Sequence, residues 1–163
     1  MVAIAIGAFS FFLLPSPQAL AAAFFGWLLL PLIVLDLRHF WLPDRLILIL
    51  AFVGAGLGPL LNPDIASVDR VIGAIAGYLA LEAIRRLYQI LRKHEGMGAG
   101  DPKLFGSLGI WLGWQSLPMI LLLASLLGLL SALAIRIIGA KTPRVLPLGS
   151  LLGFSAILIA GFI

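Results

Sequence analysis

The chain has 163 residues, of which 62% are hydrophobic and 11% are charged. Soluble domains are nearer half apolar and a quarter charged, so this composition predicts a polytopic membrane protein. The lack of cysteine excludes disulfides, thiolate metal sites and a cysteine nucleophile, and two histidines are too few for a histidine-built metal site. A net charge of +4 does not indicate nucleic-acid binding here, because the basic residues lie between apolar segments.

Seven apolar segments predict an all-α polytopic membrane protein with about six to seven transmembrane helices. They cover residues 1–14, 18–35, 46–61, 70–88, 104–114, 118–138 and 146–163. The first is interpreted as a retained span rather than a removed signal, since no charged region precedes it. The fifth is short for a crossing of about 20 residues, and it is predicted to be tilted, broken or re-entrant before an outer connection over residues 115–118. Residues 1–163 are predicted to form a single membrane-embedded domain.

The basic residues predict the orientation of these segments. If Met1 lies in the cytoplasm and the segments alternate, ten of the eleven basic residues lie on the cytoplasmic side, and only Arg70 lies outside. The positive-inside rule then favours a cytoplasmic N-terminus. The same arrangement places Asp36 and Asp101 at the cytoplasmic boundary.

Asp36 is the acidic residue for which a structural role is hardest to find. It follows the apolar run 28–35, at the C-terminal end of a helix, where the helix dipole disfavours an anion. The alternative to a functional role is a structural one, in which Asp36 forms an ion pair with Arg38. A carboxylate at the edge of a membrane span is otherwise a candidate for function.

Asp101 follows three alternating glycines, Gly96, Gly98 and Gly100, in a predicted glycine-rich cytoplasmic loop. Asp followed by Pro is typical of a helix N-cap, which is the structural alternative here. A cap alone does not require the glycines. They predict either backbone conformations closed to other residues or a close approach of another part of the chain.

The other five acidic residues have structural interpretations. Asp64 and Asp69 are predicted as turn and cap residues, Asp44 as an N-cap, Glu95 as a solvated loop residue, and Glu82 as a partner of Arg85 and Arg86 at helical spacing. Recurrent glycines within the segments, at Gly54, Gly56, Gly58, Gly73 and Gly77, predict close helix packing.

Asp36 and Asp101 are 65 positions apart, yet the predicted topology places them at one membrane level. Two carboxylates brought together in a partly dry site share a proton. The ionised one can activate water, and the protonated one can donate to a carbonyl oxygen and then to a leaving amine. This chemistry is aspartyl peptide hydrolysis, and it needs no metal or cofactor.

The segments around both aspartates resemble a known family. Residues 35–46 (LDLRHFWLPDRL) and residues 95–104 (EGMGAGDPKL) resemble the two aspartate motifs of the type IV prepilin peptidases, membrane aspartic proteases of the GxGD class. Residues 109–118 and 146–149 also resemble segments of that family. The resemblance implies that Asp36 and Asp101 are catalytic, with Gly98, Gly100, Lys103 and Arg38 binding substrate or supporting the site.

The same resemblance implies an inner-membrane, multi-pass endopeptidase with its active site facing the cytoplasm. Its partners would be the lipid bilayer and a prepilin or pseudopilin of a type IV pilus or type II secretion system. The bond cleaved would follow a glycine at the end of the substrate's leader. Longer members carry an N-terminal cytoplasmic region and also methylate the new N-terminus. We therefore expect this chain to be a short form, or a C-terminal portion, that cleaves without methylating.

Three alternatives stay open at this point. A proton-coupled transporter would use the two aspartates as a relay, but its acids are expected deep in several spans. A catalytically silent assembly factor of a secretion system would not need both aspartates. A presenilin-like protease also carries a GxGD motif, but the segment Leu42-Pro-Asp-Arg45 favours the prepilin peptidases.

Overall fold

A computed structural model describes residues 17–92, 97–137 and 147–162, and every regular element in these ranges is an α-helix. The helices are α1 (Pro17–His39), α2 (Asp44–Leu61), α3 (Ser67–Arg92), α4 (Gly100–Ile137) and α5 (Leu148–Ala160). The all-α prediction is confirmed for this part of the chain. The predicted segment 1–14 and the loop residues Glu95 and Gly96 lie outside the described residues.

Helices α1, α2 and α4 are each long and apolar enough to cross a membrane. Helix α5 is apolar but has 13 residues, fewer than the roughly 20 of a full crossing. Large hydrophobic side chains are exposed on the surface, such as Phe52, Ile90 and Leu129 at 77%, 74% and 67%. An exposed apolar surface of this kind suits contact with lipid. The described helices thus belong to a membrane protein, and the count of six to seven spans remains a prediction.

Helix α4 is divided by Gly113, whose φ of 73° and ψ of 167° are not helical. Glycine adopts a positive φ at little steric cost, so this residue permits a sharp bend. The predicted connection over residues 115–118 is wrong, because these residues are helical and the break comes before them.

The bend brings both parts of α4 against α3. A Cβ placed on Gly77 of α3 would lie 3.1 Å from the Phe105 carbonyl oxygen and 3.0 Å from Leu117 Cδ1. In a straight helix those two residues would be about 18 Å apart along the axis. The chain therefore turns back near Gly113, and residues before and after it pack on the same glycine.

Glycines let α3 and α4 approach each other at their backbones. A Cβ on Gly73 would lie 2.8 Å from the Gly109 carbonyl oxygen, and a Cβ on Gly106 would lie 2.9 Å from the Ala74 carbonyl oxygen. This contact confirms the packing interpretation of the glycines on α3.

On α2 the same interpretation holds for two of the three glycines. A Cβ on Gly54 would lie 2.5 Å from the Trp111 indole nitrogen, and one on Gly58 would lie 2.7 Å from an Arg70 guanidinium nitrogen. Gly56 has no such neighbour within 4 Å, so the packing prediction is wrong for this residue.

Trp111 joins three helices in the core. Its side chain is fully buried, and its indole N–H donates a hydrogen bond of 2.9 Å to the Leu50 carbonyl oxygen on α2. Its ring lies 4.9 Å from the ring of Phe25 on α1. These contacts hold the first part of α4 against α1 and α2, and the start of α4 carries Asp101.

Candidate active site

Asp36 lies in the last turns of α1 and is buried, with 4% of its surface exposed. Its Oδ2 accepts hydrogen bonds from the backbone N–H of Ser150 at 2.6 Å and from the Ser150 hydroxyl at 2.7 Å. Both donors belong to the first turn of α5. The N-cap residue of α5, Pro147, makes no side-chain cap, so Asp36 accepts from a first-turn N–H that has no partner within its own helix.

This contact explains how Asp36 is tolerated where the dipole of its own helix disfavours an anion. The N-terminus of α5 carries the opposite end of a helix dipole and therefore attracts a carboxylate. The ion pair with Arg38, the structural alternative, is not formed among the described residues, and Arg38 is exposed.

Asp101 lies in the first turn of α4 rather than in a loop, and it is 5% exposed. Its Oδ2 accepts a hydrogen bond of 3.1 Å from the backbone N–H of Gly98, and its own N–H donates to the Gly98 carbonyl at 3.3 Å. Asp101 is therefore the second residue of α4, and the prediction that it is the N-cap is wrong, although its carboxylate does accept from a backbone N–H before the helix. However, the other carboxylate oxygen of Asp101, Oδ1, lies toward Asp36.

Gly149 marks the point where the two carboxylates meet. A Cβ on Gly149 would lie 3.0 Å from Asp101 Oδ1 and 3.1 Å from Asp36 Oδ2. The two oxygens are therefore no farther apart than the sum of these two distances. Two buried carboxyl groups from different helices face a common small space.

Leu42 closes the site from the loop between α1 and α2. The preceding Phe40 has a φ of 50°, unusual for a residue with a side chain, and its N–H donates to the Asp36 carbonyl at 2.9 Å. Leu42 is 7% exposed, and its side chain approaches the backbones of both Gly100 and Gly149.

The glycine-rich stretch matters because glycine has no side chain and allows close packing, not because its residues adopt unusual dihedral angles. Among the described residues, Gly113 is the glycine with a positive φ, so neither Gly98 nor Gly100 has one. A Cβ on Gly100 would lie 2.7 Å from Leu42 Cβ. A Cβ on Gly98 would be 3.4 Å from its nearest neighbour, Asp101 Oδ2, which is ordinary van der Waals contact. Of the two predicted roles for these glycines, close approach applies to Gly100.

A cleft of about 560 Å³ opens beside both aspartates. Its lining combines the α1–α2 loop, the glycine-rich stretch and the starts of α4 and α5. The lining residues are Asp36, Phe40, Trp41, Leu42, Pro43, Asp44, Arg45, Met97, Gly98, Ala99, Gly100, Asp101, Lys103 and Leu148. The cleft therefore contains Gly98, Gly100 and Lys103 of the predicted supporting residues, whereas Arg38 is not part of its lining.

Asp44 has a different role from the one predicted. Helix α2 has Pro43 as its N-cap, without a side-chain cap bond, so Asp44 is the first helical residue and not the cap. Both of its carboxylate oxygens lie 2.7 Å from Lys103 Nζ on α4. This ion pair joins the two aspartate segments across the cleft.

The Glu82 prediction is confirmed. Its carboxylate pairs with Arg85 at 2.8 Å and with Arg86 at 2.6 Å, three and four residues along α3. This pairing accounts for its charge without a role in the cleft.

Two site-forming residues, Gly149 and Ser150, were not among the predicted site residues. The resemblance of residues 146–149 to the family is the signal that points to this part of the chain, but the contact between Ser150 and Asp36 spans 114 positions. No local sequence pattern indicates a contact between residues so far apart in the sequence. In contrast, both aspartates were predicted from the sequence, and the structure brings them together at Gly149.

Comparisons with known proteins identify the family to which the chain is similar. The chain matches the type IV leader peptidase family over residues 22–133. It is 47% identical over 116 residues to the prepilin leader peptidase/N-methyltransferase of Aeromonas hydrophila, covering 71% of this chain and 40% of that protein. Proteins of the same name from Dichelobacter nodosus and Pseudomonas aeruginosa are 40% and 38% identical over 134 and 150 residues.

The chain spans less than half the length of these relatives: 46% of the D. nodosus protein and 49% of the P. aeruginosa protein, with 82% and 90% of this chain covered. No solved structure matches. The family match covers both aspartates and extends well beyond half of the chain. The chain belongs to the type IV leader peptidase family.

Proposed function

We propose that this chain is an aspartic endopeptidase that removes the leader peptides of type IV prepilins or pseudopilins, with Asp36 and Asp101 as its catalytic residues. The observation that carries the proposal is the meeting of two buried carboxyl groups on either side of Gly149. Membership of the type IV leader peptidase family and relatives named prepilin leader peptidase support the choice of substrate.

In the proposed reaction, the two carboxyl groups hold one proton between them. The ionised group takes a proton from a water molecule, whose oxygen attacks the carbonyl carbon of the scissile peptide bond. The protonated group donates its proton to the carbonyl oxygen. The group that took the proton from water then donates it to the amide nitrogen, and the C–N bond breaks. A hydroxyl proton of the tetrahedral intermediate returns to the other, now ionised, group, so the products are a carboxylic acid and a free amine and the pair again holds one proton.

The surrounding residues have supporting roles in this proposal. Gly100 leaves the space that Leu42 fills, and the N–H of Gly98 orients Asp101. Lys103 lines the cleft beside Asp101 and could bind the carbonyl groups of an extended peptide. Arg38 is exposed near the end of α1, so it would act only on a part of the substrate outside the cleft.

We further propose that residues 1–163 form one domain in the bacterial inner membrane, with multiple crossings and the cleft facing the cytoplasm. Ten of the eleven basic residues lie on that side if the segments alternate as predicted. Arg45 and Lys103 line the cleft itself. The cleft would then meet a leader peptide before it crosses the membrane.

The test is cleavage of a co-expressed prepilin by variants that keep the size of each carboxyl group. Asp36→Asn and Asp101→Asn should each abolish leader removal, because a shared-proton pair needs two ionisable groups. Asp64→Asn, in the exposed α2–α3 connection, is the matched control and should cleave like the wild type. Membrane levels of each variant are measured by immunoblot. Normal cleavage by either site variant would overturn the proposal.

A further inference from the structure

Ser150 makes the most specific contact with the catalytic pair, and the proposed mechanism does not yet use it. It is 4% exposed and donates twice to the same oxygen, Asp36 Oδ2, through its backbone N–H and its hydroxyl. These two bonds fix both the position and the rotation of the Asp36 carboxyl group.

The hydroxyl of Ser150 also has a second acceptor. Its Oγ lies 3.3 Å from the carbonyl oxygen of Ile33, one turn before Asp36 on α1. A hydroxyl carries one hydrogen and two lone pairs, so it can donate to one acceptor while it accepts from another group. The backbone N–H of Ser150 can only donate.

This pair of acceptors suits a carboxyl group that gains and loses a proton. When Asp36 is ionised, the Ser150 hydroxyl donates to Oδ2. When Oδ2 is protonated, the Ser150 hydroxyl can rotate. It then accepts a hydrogen bond from the carboxyl O–H and donates its own hydrogen to the Ile33 carbonyl oxygen. The Ser150 hydroxyl neither gains nor loses a proton in this exchange.

We propose that Ser150 is a positioning residue that holds Asp36 in one orientation in both of its protonation states, by switching its hydroxyl between Asp36 and the Ile33 carbonyl. The proposal rests on the function proposed above, because it requires Asp36 to change protonation during peptide cleavage. It acts through Asp36 and not through direct contact with substrate.

The experiment compares three variants of the full chain in detergent, with a prepilin as substrate. Ser150→Ala removes the hydroxyl and keeps the backbone N–H. Ser150→Thr keeps the hydroxyl. Ser155→Ala is the matched control, because Ser155 is also buried on α5 and its hydroxyl has no hydrogen-bond partner among the described residues. Each rate is divided by the amount of folded enzyme, which is measured from thermal unfolding.

Ser150→Ala should lower kcat by about tenfold to a hundredfold, the range for losing a hydrogen bond to a charged group, with KM changed less than about twofold. The acidic limb of its pH–rate profile should move to higher pH, since the ionised pair has lost a donor. Ser150→Thr should recover most of kcat, and Ser155→Ala should match the wild type.

Two outcomes would overturn the role of Ser150. One is a Ser150→Ala enzyme with wild-type kcat per folded molecule and an unchanged pH profile. The other is a Ser150→Thr enzyme that is folded like the wild type but as slow as Ser150→Ala. Failure of the proposed function gives a different result, since Asp36→Asn would then retain cleavage.

Discussion

Leu42 packs directly on the backbone of Gly100, where a Cβ would lie 2.7 Å from Leu42 Cβ. This contact joins the loop after Asp36 to the residue before Asp101. Because a Cβ atom is fixed to the backbone, Leu42 has no flexible end that could move aside. The two aspartate segments can reach their observed separation only if position 100 has no side chain.

Gly100→Ala should therefore lower kcat/KM by about tenfold or more, since displacement of a catalytic group by less than 1 Å is costly. Gly98→Ala is the matched control. Its Cβ would make ordinary contact at 3.4 Å, and its rate should stay within about threefold of the wild type. Steady-state cleavage of a purified prepilin measures both. Equal rates for the two variants would contradict the role assigned to Gly100.

Gly149→Ala should abolish cleavage more completely than it affects folding, because the new methyl group would enter the space between the two carboxyl groups. Gly56→Ala adds the same methyl group where no atom lies within 4 Å. It should keep full activity and gain up to about 1 kcal/mol of stability from helix propensity. Prepilin cleavage and thermal unfolding, measured on both proteins, distinguish a site effect from a general loss of fold. Full activity in Gly149→Ala would show that this space is not the reaction site.

The Asp44–Lys103 ion pair should add little stability. The side chains are 61% and 42% exposed, and exposed pairs contribute about 0–1 kcal/mol. A double-mutant cycle with Asp44→Ala and Lys103→Ala, followed by thermal unfolding, should give a coupling free energy below about 1 kcal/mol.

The same two variants test whether Lys103 serves the substrate. If Lys103 binds the peptide in the cleft, Lys103→Ala should lower kcat/KM by about tenfold, the value of one hydrogen bond to a charged group. Asp44→Ala should stay within about threefold, since it removes only the exposed pair. Equal losses of activity in both variants would show that Lys103 acts only through its ion pair with Asp44 and does not bind the peptide.

Arg70, on α3, should be important for stability although it contacts α4 far from Asp101. Its buried guanidinium donates to the carbonyl oxygens of Ile110 and Trp111 just before the bend, and to that of Asn62 after α2. Arg70→Ala leaves these carbonyls without that donor and should lower the unfolding free energy by about 2 kcal/mol or more. Arg86→Ala, whose side chain is 70% exposed, should cost less than about 1 kcal/mol. Denaturant unfolding in detergent measures both, and a smaller effect at Arg70 would contradict its role as a cap of the helix end.

The proposed orientation can be tested with single cysteines, because the chain has none of its own. Ser67→Cys, exposed at the start of α3, should react with an impermeant thiol reagent added outside the inner membrane. Arg38→Cys, exposed at the end of α1, should react only after the membrane is permeabilised. The reverse pattern of labelling would invert the topology and place the cleft on the opposite side.

The sequence by itself predicted the membrane class, the helical fold and the family, and it singled out the two aspartates as candidate site residues. These follow from composition, apolar run length and short motifs, all of which are local properties of the chain. It also predicted the Glu82 pairs, because a spacing of three or four residues fixes neighbours on a helix. It misplaced the connection at residues 115–118, since hydropathy marks where an apolar run weakens and not where glycine dihedral angles change.

Only the tertiary structure decided how the site is assembled. Ser150 donates to Asp36 across 114 positions, and Asp44 pairs with Lys103 across 59 positions. These contacts depend on how each helix is rotated about its axis and where α4 bends back, which are set by packing against neighbouring helices. The carboxylate that the sequence left without a structural explanation, Asp36, is stabilised by the N-terminus of another helix, and periodicity within a single segment carries no information about that partner.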